Sequence, residues 1–271
     1  MLRIIIIIVL HAYDYMAIIC AKGSIYAMKI YDGIHIIASG DAGYALSNAY
    51  DCTVYLIGYG HELALIDTGA AVNPDELMQS IKAEGFDPAD IRYAMLTHGH
   101  ADHSGGAYFL HKHCGTEILA TGLTAKFVSE GDEYAISLRQ AKQAGAYPAD
   151  YAFYACPVTP VSDGTVLQAG GFSLRLIETP GHADGHACYL MEHGGKRMLF
   201  SGDLVFWGGK IILQQIEDCR IPEYAASMER VRALHIDSLL PAHLNFLLNR
   251  GYVPIEKACT VFAGLGIPQN I

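Results

Sequence analysis

Short β-rich runs separated by turn residues fill the chain between positions 25 and 68. The runs SIYAMKIY and IHIIAS flank Asp32 and Gly33, and CTVYLIGYG and ELALIDTG follow after another polar segment. Runs of β-branched and aromatic residues bounded by Gly, Asn or Asp are typical of strands joined by hairpins. This part of the sequence therefore predicts a sheet built from successive hairpins.

The rest of the chain alternates predicted helices with predicted strands. PDELMQSIKAEG has helical periodicity, with Asn73 as a candidate N-cap and Gly85 as the stop. The strand IRYAMLT leads into His98, a helix over 104–113 follows, TEILA is a strand, and 123–145 is mainly helical. Later runs predict the strands TVLQAG, FSLRLIETP, HACYLMEHG, RMLFSGD and SLLPAH, the helix PEYAASMERVRALH, and a C-terminal helical segment.

Two β-rich halves, each closed by helices, predict an α/β protein in which two sheets pack face to face with helices outside. The chain has 271 residues, of which 52% are hydrophobic, so it can fill a sizeable core. No Pro-, Gly- or Ser-rich linker divides the halves. We therefore expect one domain over residues 25–271, with a helical insertion at about 122–156.

The first 24 residues need a separate interpretation. One basic residue ahead of an apolar run imitates the start of a signal peptide, but His11 and Asp14 interrupt the run and no small-x-small cleavage site follows. The segment is also too short and too interrupted to span a bilayer. We expect residues 1–24 to form an N-terminal arm or an extra strand. A targeting segment, or a start codon placed ahead of Met16 or Met28, is the alternative.

Charge and cysteine content limit the partners and the compartment. The formal charge is -10, with 18 Lys plus Arg and no basic run, so nothing favours binding to nucleic acid or to an anionic membrane. Seven scattered cysteines with no C-x-x-C pair predict reduced thiols and a cytoplasmic protein. We expect a small-molecule substrate, and apolar faces on the arm and the insertion are compatible with a homodimer.

The segment THGHADHSGG is dense in groups that bind metals and comes directly after a predicted strand. His98 and His100, two apart in an irregular loop, can point at one ion. Asp102 and His103, adjacent at a helix entry, can turn toward a second. Imidazole nitrogen and carboxylate oxygen are ligands expected for zinc and also suit iron or manganese. Taken alone, the segment is also compatible with a solvated histidine-rich loop.

THGHADH resembles the H-x-H-x-D-H motif of the metallo-β-lactamase superfamily, and later segments match the remaining ligands of that family in order. They are TPGHADGH, FSGD and LLPAH, each of which follows a predicted strand. The resemblance covers about residue 25 to the C-terminus. It implies an αββα sandwich of two mixed β-sheets, with ligands at strand ends along one edge. It assigns His98, His100 and His182 to one ion and Asp102, His103 and His243 to a second, with Asp203 bridging them.

Asp67, in LALIDTG, matches an early D-T-G segment of the same family. In the family, this strand-ending acid orients a ligand histidine. Metal-bound imidazoles commonly donate their second N–H to a carboxylate, which fixes the tautomer and raises the basicity of the ligand. The alternative for Asp67 is an ordinary turn residue.

The resemblance implies a hydrolase that uses two divalent cations, with zinc favoured. Such cations share a water, lower its pKa and deliver a bridging hydroxide to a carbonyl carbon or to phosphorus. Asp102 would orient that hydroxide or help to protonate the leaving group. An iron-dependent sulfur dioxygenase with a single ion is an alternative, since THGHADH also resembles the motif of those enzymes. A non-catalytic binding protein would be expected to lack ligands, and none of the seven is missing.

Two positions narrow the expected substrate. Asp203 replaces the cysteine or serine of β-lactamases proper and resembles glyoxalase-II-type thioesterases, homoserine-lactone lactonases and phosphodiesterases of the superfamily. Phe206 stands where quorum-quenching lactonases often have a tyrosine, which weakens that assignment. We therefore expect an ester, lactone or thioester of a small, moderately apolar substrate. Phosphodiesterase or β-lactamase activity of the same site is the alternative.

Segments outside the motifs are expected to shape the substrate pocket. They are DAGYALSNAYD, the insertion, and LVFWGGKIILQQ after the FSGD segment, all rich in tyrosine or apolar residues. Aromatic residues in such segments either line a groove or pack against the core. The candidate lining residues are Tyr44, Tyr50, Tyr134, Phe206 and Trp207.

Overall fold

The computed structural model describes residues 27–271, so the predicted arm or strand at residues 1–24 lies outside the described residues. Within this range, two mixed β-sheets pack face to face, with helices on the outer side of each. The predicted fold class is therefore confirmed.

The first sheet contains seven strands among the described residues, and their order in space follows their order in sequence. They are β1 (Met28–Tyr31), β2 (Ile34–Ala38), β3 (Val54–Tyr59), β4 (Glu62–Ile66), β5 (Ile91–Met95), β6 (Glu117–Ala120) and β7 (Thr159–Pro160). Neighbouring strands are antiparallel from β1 to β4, as the hairpin pattern predicts, and parallel from β4 to β7. Strands β4, β5 and β6 therefore end at one edge of the sheet.

The second sheet contains five strands of the described range. They are β8 (Val166–Ala169), β9 (Phe172–Glu178), β10 (Ala187–His193), β11 (Lys196–Gly202) and β12 (Ser238–Pro241), in the spatial order β12-β11-β10-β9-β8. All neighbours are antiparallel except β11 and β12, which are parallel. Strands β9, β11 and β12 consequently run in the same direction and end at a common edge.

The helices of the described range are α1 (Pro74–Ala83), α2 (Ala101–Ser104), α3 (Ala107–Cys114), α4 (Gly122–Glu130), α5 (Leu138–Gln143), α6 (Ile221–Arg232) and α7 (Tyr252–Ala263). Short 3₁₀ turns lie at Pro88–Asp90 and Trp207–Gly209. Helices α1, α3 and α4 cover the first sheet, and α6 and α7 cover the second.

Two local predictions need correction. The helix predicted over 104–113 is divided into α2 and α3 by Gly105 and Gly106. A Cβ on Gly106 would lie 2.2 Å from the carbonyl oxygen of Thr68, so this close approach requires glycine. Asn73 occupies the predicted N-cap position of α1, but its side-chain oxygen accepts from no backbone N–H, and its amide donates to Glu76 Oε1 (3.0 Å).

The core between the sheets follows the two-residue period of the strands. On β3, Tyr55 and Ile57 face the second sheet, whereas Val54 and Leu56 face the helices. Tyr189 of β10 is likewise buried between the sheets. Because both faces of the central strands are covered, their side chains are apolar in nearly continuous runs.

Two buried tyrosines join the sheets at the edge where the strands end. The hydroxyl of Tyr55, from the first sheet, donates to the carbonyl oxygen of Pro241 in the second (2.7 Å). The hydroxyl of Tyr189, from the second sheet, donates to the carbonyl oxygen of Leu96 in the first (2.8 Å). Each bond fixes the end of a strand that leads directly into a histidine segment.

Two further observations concern the described residues as a whole. The six cysteines in this range are free thiols, as expected. Between residues 27 and 271, no helix is both long and apolar enough to cross a membrane.

We predict that Tyr189→Phe lowers the free energy of unfolding by about 1–3 kcal/mol, because it leaves a buried carbonyl oxygen without its donor and opens no cavity. Tyr59→Phe is the matched control, since the Tyr59 hydroxyl bonds to Asp32 at the exposed surface (2.7 Å). Its effect should stay within about 0.5 kcal/mol. Urea unfolding of both variants tests this, and equal effects would contradict a special contribution from the buried bond between the sheets.

Candidate metal centre

The seven predicted ligands come together at the edge where strands from both sheets end. His98 follows β5 and His182 follows β9, while Asp203 and His243 follow the parallel strands β11 and β12. The remaining ligands lie at the start of the short helix α2. Residues far apart in sequence thus converge because parallel strands place their carboxyl ends side by side.

The donor atoms form two groups, within each of which they lie no more than 4.8 Å apart. In the first group, His182 Nε2 and His100 Nδ1 are 3.2 Å apart. The two groups are His98, His100 and His182, and Asp102, His103, Asp203 and His243.

Asp203 lies between the two groups. Its Oδ2 atom is 3.4 Å from His182 Nε2 in the first group and 3.5 Å from His243 Nε2 in the second. Its Oδ1 atom is 3.5 Å from His103 Nε2. This is the position that a bridging carboxylate requires.

Several of these donor atoms are buried without a partner. His98 Nε2, His103 Nε2 and Asp203 Oδ1 are inaccessible to solvent and form no hydrogen bond within the described chain. Buried polar atoms are nearly always paired, because leaving one unpaired costs about 1–3 kcal/mol. Unpaired nitrogen and oxygen donors that converge on one space fit bound divalent cations.

The pKa shifts of the histidines differ between the two groups of donor atoms. Burial lowers the pKa of His182 to about 4 and that of His98 well below its usual value, so these rings are neutral. Burial also opposes charge on His243, but Asp203 and Asp102 outweigh it and raise its pKa to about 9. Burial raises the pKa of Asp203, yet neighbouring imidazoles, His243 first, hold it well below the usual range. Positive charge is therefore favoured beside the carboxylates, where a cation could replace the protons.

Asp67 lies behind His103. Its Oδ2 atom is 2.9 Å from His103 Nδ1, which leaves His103 Nε2 directed at the site. Thr97 donates its backbone N–H (2.7 Å) and its hydroxyl (2.9 Å) to the same carboxylate. This is the contact expected of an acid that orients a ligand histidine.

The backbone around the site adopts conformations that its contacts enforce. Asp67 has φ +62°, in the left-handed region that non-glycine residues rarely occupy. Gly202, immediately before Asp203, has φ +50°, and a Cβ there would lie 2.7 Å from His186 Nε2. Only glycine allows the chain to turn at this point without displacing that ring.

His186 supports the main chain of Asp203. The backbone N–H of Asp203 donates to His186 Nε2 (3.1 Å), so the other ring nitrogen carries the proton and donates to the Thr179 hydroxyl (2.9 Å). Burial lowers the pKa of His186 to about 3 and keeps the ring neutral. Asp203 is thus fixed through its main chain as well as its side chain.

Tyr224 is a supporting residue that the sequence did not identify. Its hydroxyl donates to the carbonyl oxygen of Asp203 (2.7 Å) and accepts from the backbone N–H of Ile212 (3.4 Å). The carbonyl oxygen of Ile212 lies 3.2 Å from His182 Nδ1. The buried Tyr224 hydroxyl therefore holds the main chain of Asp203 and also the residue whose carbonyl oxygen contacts His182.

Asp218 is the second supporting residue that the sequence did not identify. Its Oδ2 atom lies 3.4 Å from His100 Nε2, and its Oδ1 atom accepts from the Ser137 hydroxyl (3.0 Å). Burial raises the pKa of Asp218, but the contacts with His100 and Ser137 outweigh it and leave the pKa below its usual value. Since Ser137 lies in the segment predicted to be a helical insertion, this carboxylate connects that segment to a predicted ligand.

A cleft of about 390 Å³ opens beside the site. It is lined by His100 and Asp102, by residues between 136 and 147 of the insertion, and by residues 214–216. These stretches fall within or next to two of the three segments that were expected to shape the pocket.

The five aromatic candidates for the pocket occupy different surroundings, and within the described chain none of them lines this cleft. The Tyr44 hydroxyl accepts from the backbone N–H of Phe246 (2.9 Å). Phe206 is fully buried, with its ring centre 6.1 Å from that of His243. Both residues therefore pack near the site and do not face an open groove.

The other three candidates lie closer to the surface. Tyr50 stacks on Tyr147, which lines the cleft, with ring centres 5.2 Å apart. Tyr134 and Trp207 are 45% and 51% exposed. Tyr50 thus supports one wall of the cleft from behind.

With this geometry established, comparison with known proteins identifies the family. The profile described as the metallo-beta-lactamase superfamily matches residues 47–243, a range that contains all seven predicted ligands. The chain belongs to the metallo-beta-lactamase superfamily. Its relatives include proteins named as hydrolases, and its own acidic and imidazole clusters could hold metal ions.

Two curated relatives show the range of similarity. The chain is 34% identical over 147 residues to the hydroxyacylglutathione hydrolase GloC of Haemophilus influenzae, covering 54% of this chain and 62% of that protein. It is 27% identical over 213 residues to an acyl-coenzyme A thioesterase of Bos taurus, covering 71% and 72%. Two further curated relatives are longer than this chain. The chain spans about half of their length, 50% of one and 54% of the other.

Solved structures support the fold. A metallo-beta-lactamase family protein from Thermus thermophilus superposes with a TM-score of 0.68 at 22% identity, covering 87% of this chain and 81% of that one. The two-sheet sandwich flanked by helices is therefore the metallo-beta-lactamase fold.

We predict that Asp218→Ala weakens metal binding by about 10- to 100-fold, because partners that orient metal-bound histidines commonly contribute that much. Ser137→Ala should have a smaller effect in the same direction, since His100 keeps its carboxylate. Titration of the metal-free protein with Zn²⁺ or Co²⁺ measures both. Asp75→Ala, at an exposed position of α1, is the control. Unchanged affinity in Asp218→Ala would show that this carboxylate does not orient His100.

Proposed function

We propose that the protein is a two-metal hydrolase that cleaves a thioester, or a related ester or lactone, of a small and moderately apolar substrate. The observation that carries the proposal is the position of Asp203, whose carboxylate contacts donor atoms of both groups. A single ion held by three histidines would not require that carboxylate or the second group. Imidazole nitrogen and carboxylate oxygen donors suit zinc, and they also accommodate iron or manganese.

The seven predicted ligands can be assigned to two cations. His98, His100 and His182 would hold one cation, and Asp102, His103 and His243 the other, with Asp203 shared. When bound, such cations supply an activated water and stabilise the negative charge that develops on the substrate. The surrounding sheets keep bulk water from the neutral histidines, because His98 and His182 are fully buried.

Asp102 is suited to moving a proton. Its Oδ2 atom lies 3.3 Å from both His103 Nε2 and His243 Nε2, and its side chain is 22% exposed, toward the cleft. The neighbouring imidazoles keep it ionised, although its burial opposes this. In this position it can orient the attacking water and then return a proton to the leaving group.

The relatives support a thioester in preference to other electrophiles. One relative is named an acyl-coenzyme A thioesterase, and another is named a hydroxyacylglutathione hydrolase, whose named substrate carries its acyl group on the glutathione sulfur. A thiol leaving group also needs less protonation than an alcohol or an amine, because its pKa is lower. This suits a site in which one partly buried carboxylate, that of Asp102, is the candidate proton donor.

We expect purified protein with two equivalents of Zn²⁺ to hydrolyse simple thioesters and to lose this activity on chelation, because the water would no longer be activated. The test is a panel of thioester, lactone, phosphodiester and β-lactam substrates on protein of measured metal content. Faster turnover of a phosphodiester or β-lactam would replace the thioester assignment. One iron per chain together with oxygen uptake would replace hydrolysis by dioxygenase chemistry.

We predict that Asp203→Ala loses metal and activity together. Removal of a shared ligand should lower activity by more than about 100-fold, beyond the effect typical of an outer partner. Elemental analysis and thioester turnover measure the two quantities, circular dichroism checks folding, and Asp75→Ala is again the control. A folded Asp203→Ala protein that retains both metal ions and full activity would refute the bridging role.

A further inference from the structure

The cleft beside the site has a wall that only the helical insertion provides. Ile136 and Leu138 line the cleft and are buried. Together with Tyr151 they pack against Ala101 of α2. Ala141, Ala144 and Ala146 also line the cleft. Small side chains at these positions leave open the space that larger ones would fill.

The chemistry of the lining is almost entirely uncharged. Among the cleft-lining residues of the described chain, Asp102 and His100 of the site are ionisable, and none is a lysine, arginine or glutamate. Lys142, on the same helix as Ala141, is paired with both carboxylate oxygens of Glu133 (2.8 and 2.9 Å). Away from the metal centre, a negatively charged group in the cleft would therefore find no side-chain cation to offset it.

Gln140 is one of the uncharged polar residues of the lining, which also include Ser137, Tyr147, Gln214 and Gln215. It lines the cleft, and its Oε1 atom is buried without a hydrogen-bond partner in the described part of the chain. A buried amide oxygen left unpaired costs free energy that a ligand hydroxyl or N–H would recover. The cleft thus offers apolar surface together with one unsatisfied acceptor.

We propose that this cleft binds the acyl group of the substrate, and that it selects an uncharged, mainly apolar acyl chain with a hydroxyl or amide N–H that donates to Gln140. This inference rests on the proposed function, since it assigns the part of the substrate that lies next to the hydrolytic site. The insertion is then the segment that determines acyl specificity. The leaving thiol would lie outside the cleft.

A series of neutral thioesters of N-acetylcysteamine tests the apolar part. With acetyl, butyryl, hexanoyl and octanoyl groups, kcat/KM should rise by about two- to fourfold per added methylene until the cleft is filled. Succinyl thioester should be at least about tenfold slower than butyryl, because its terminal carboxylate, which extends away from the metal centre, finds no lysine or arginine in the lining. A flat chain-length profile, or a preference for succinyl, would overturn the proposal.

Ala141→Leu tests the position of the chain. The larger side chain should lower kcat/KM for hexanoyl and octanoyl thioesters by about tenfold or more and leave acetyl thioester within about twofold. Ala226→Leu, the same substitution at an exposed position of α6, is the matched control and should change neither. An equal loss for all chain lengths in Ala141→Leu would place the acyl group elsewhere.

Gln140→Leu tests the hydrogen bond. The unchanged protein should prefer hexanoyl thioesters with a hydroxyl on the third, fourth or fifth carbon by about two- to tenfold at one of these positions. Gln140→Leu should abolish that preference, whereas Gln143→Leu, at an exposed position outside the cleft on the same helix, should keep it. No preference at any position would refute the part assigned to Gln140.

Direct binding separates this inference from the proposed function. S-hexyl-N-acetylcysteamine, a thioether that cannot be hydrolysed, should bind the unchanged protein and bind Ala141→Leu at least about tenfold more weakly by calorimetry. If no thioester is turned over but this difference is found, the proposed function fails and the apolar cleft stands. If thioesters are hydrolysed but both proteins bind the thioether equally, the proposed function stands and the acyl site fails.

Discussion

The buried acidic and imidazole groups of the site keep their positions because hydrogen bonds between the two sheets fix the strand ends that carry them. Tyr55 and Tyr189 cross between the sheets in opposite directions and bond to the carbonyl oxygens of Pro241 and Leu96. A main-chain hydrogen bond also joins the sheets: the N–H of Ala187 in the second sheet donates to the carbonyl oxygen of Thr97, the residue before His98 (2.7 Å). Separation of the sheets would therefore move strand ends and ligands together, so stability of the sandwich and geometry of the site are one property.

The same edge concentrates polar groups that would be unfavourable elsewhere in the core. Asp67 is 1% exposed, yet its oxygens are satisfied by the main chain and hydroxyl of Thr97 and by His103. Behind Asp203, His186 and Tyr224 bond to its N–H and its carbonyl oxygen. These supporting groups are paired, whereas His98 Nε2, His103 Nε2 and Asp203 Oδ1 of the site are buried without a hydrogen-bond partner in the described chain. This arrangement leaves coordination as the remaining way to satisfy them.

Much of the fold and the ligand set could be predicted from the sequence because the signals are local. A histidine segment after a strand, or an aspartate after an apolar run, is visible without knowledge of contacts. Asp218 and Tyr224 gave no such signal, since a carboxylate in a loop and a phenol in a helix are common, and their roles depend on neighbours distant in sequence. Strand β7 has two residues, too few for a period, and the break between α2 and α3 depends on a backbone contact with Thr68.

The hydrogen bond from Ser137 to Asp218 has a consequence for how such proteins diversify. Loops that select substrates are often treated as exchangeable modules on a fixed scaffold. Here the segment that shapes the cleft also bonds to the carboxylate beside His100. An insertion grafted from a relative would therefore alter the coordination geometry along with the pocket unless it supplied an equivalent donor to Asp218, so substrate range and metal chemistry are expected to evolve together in this chain.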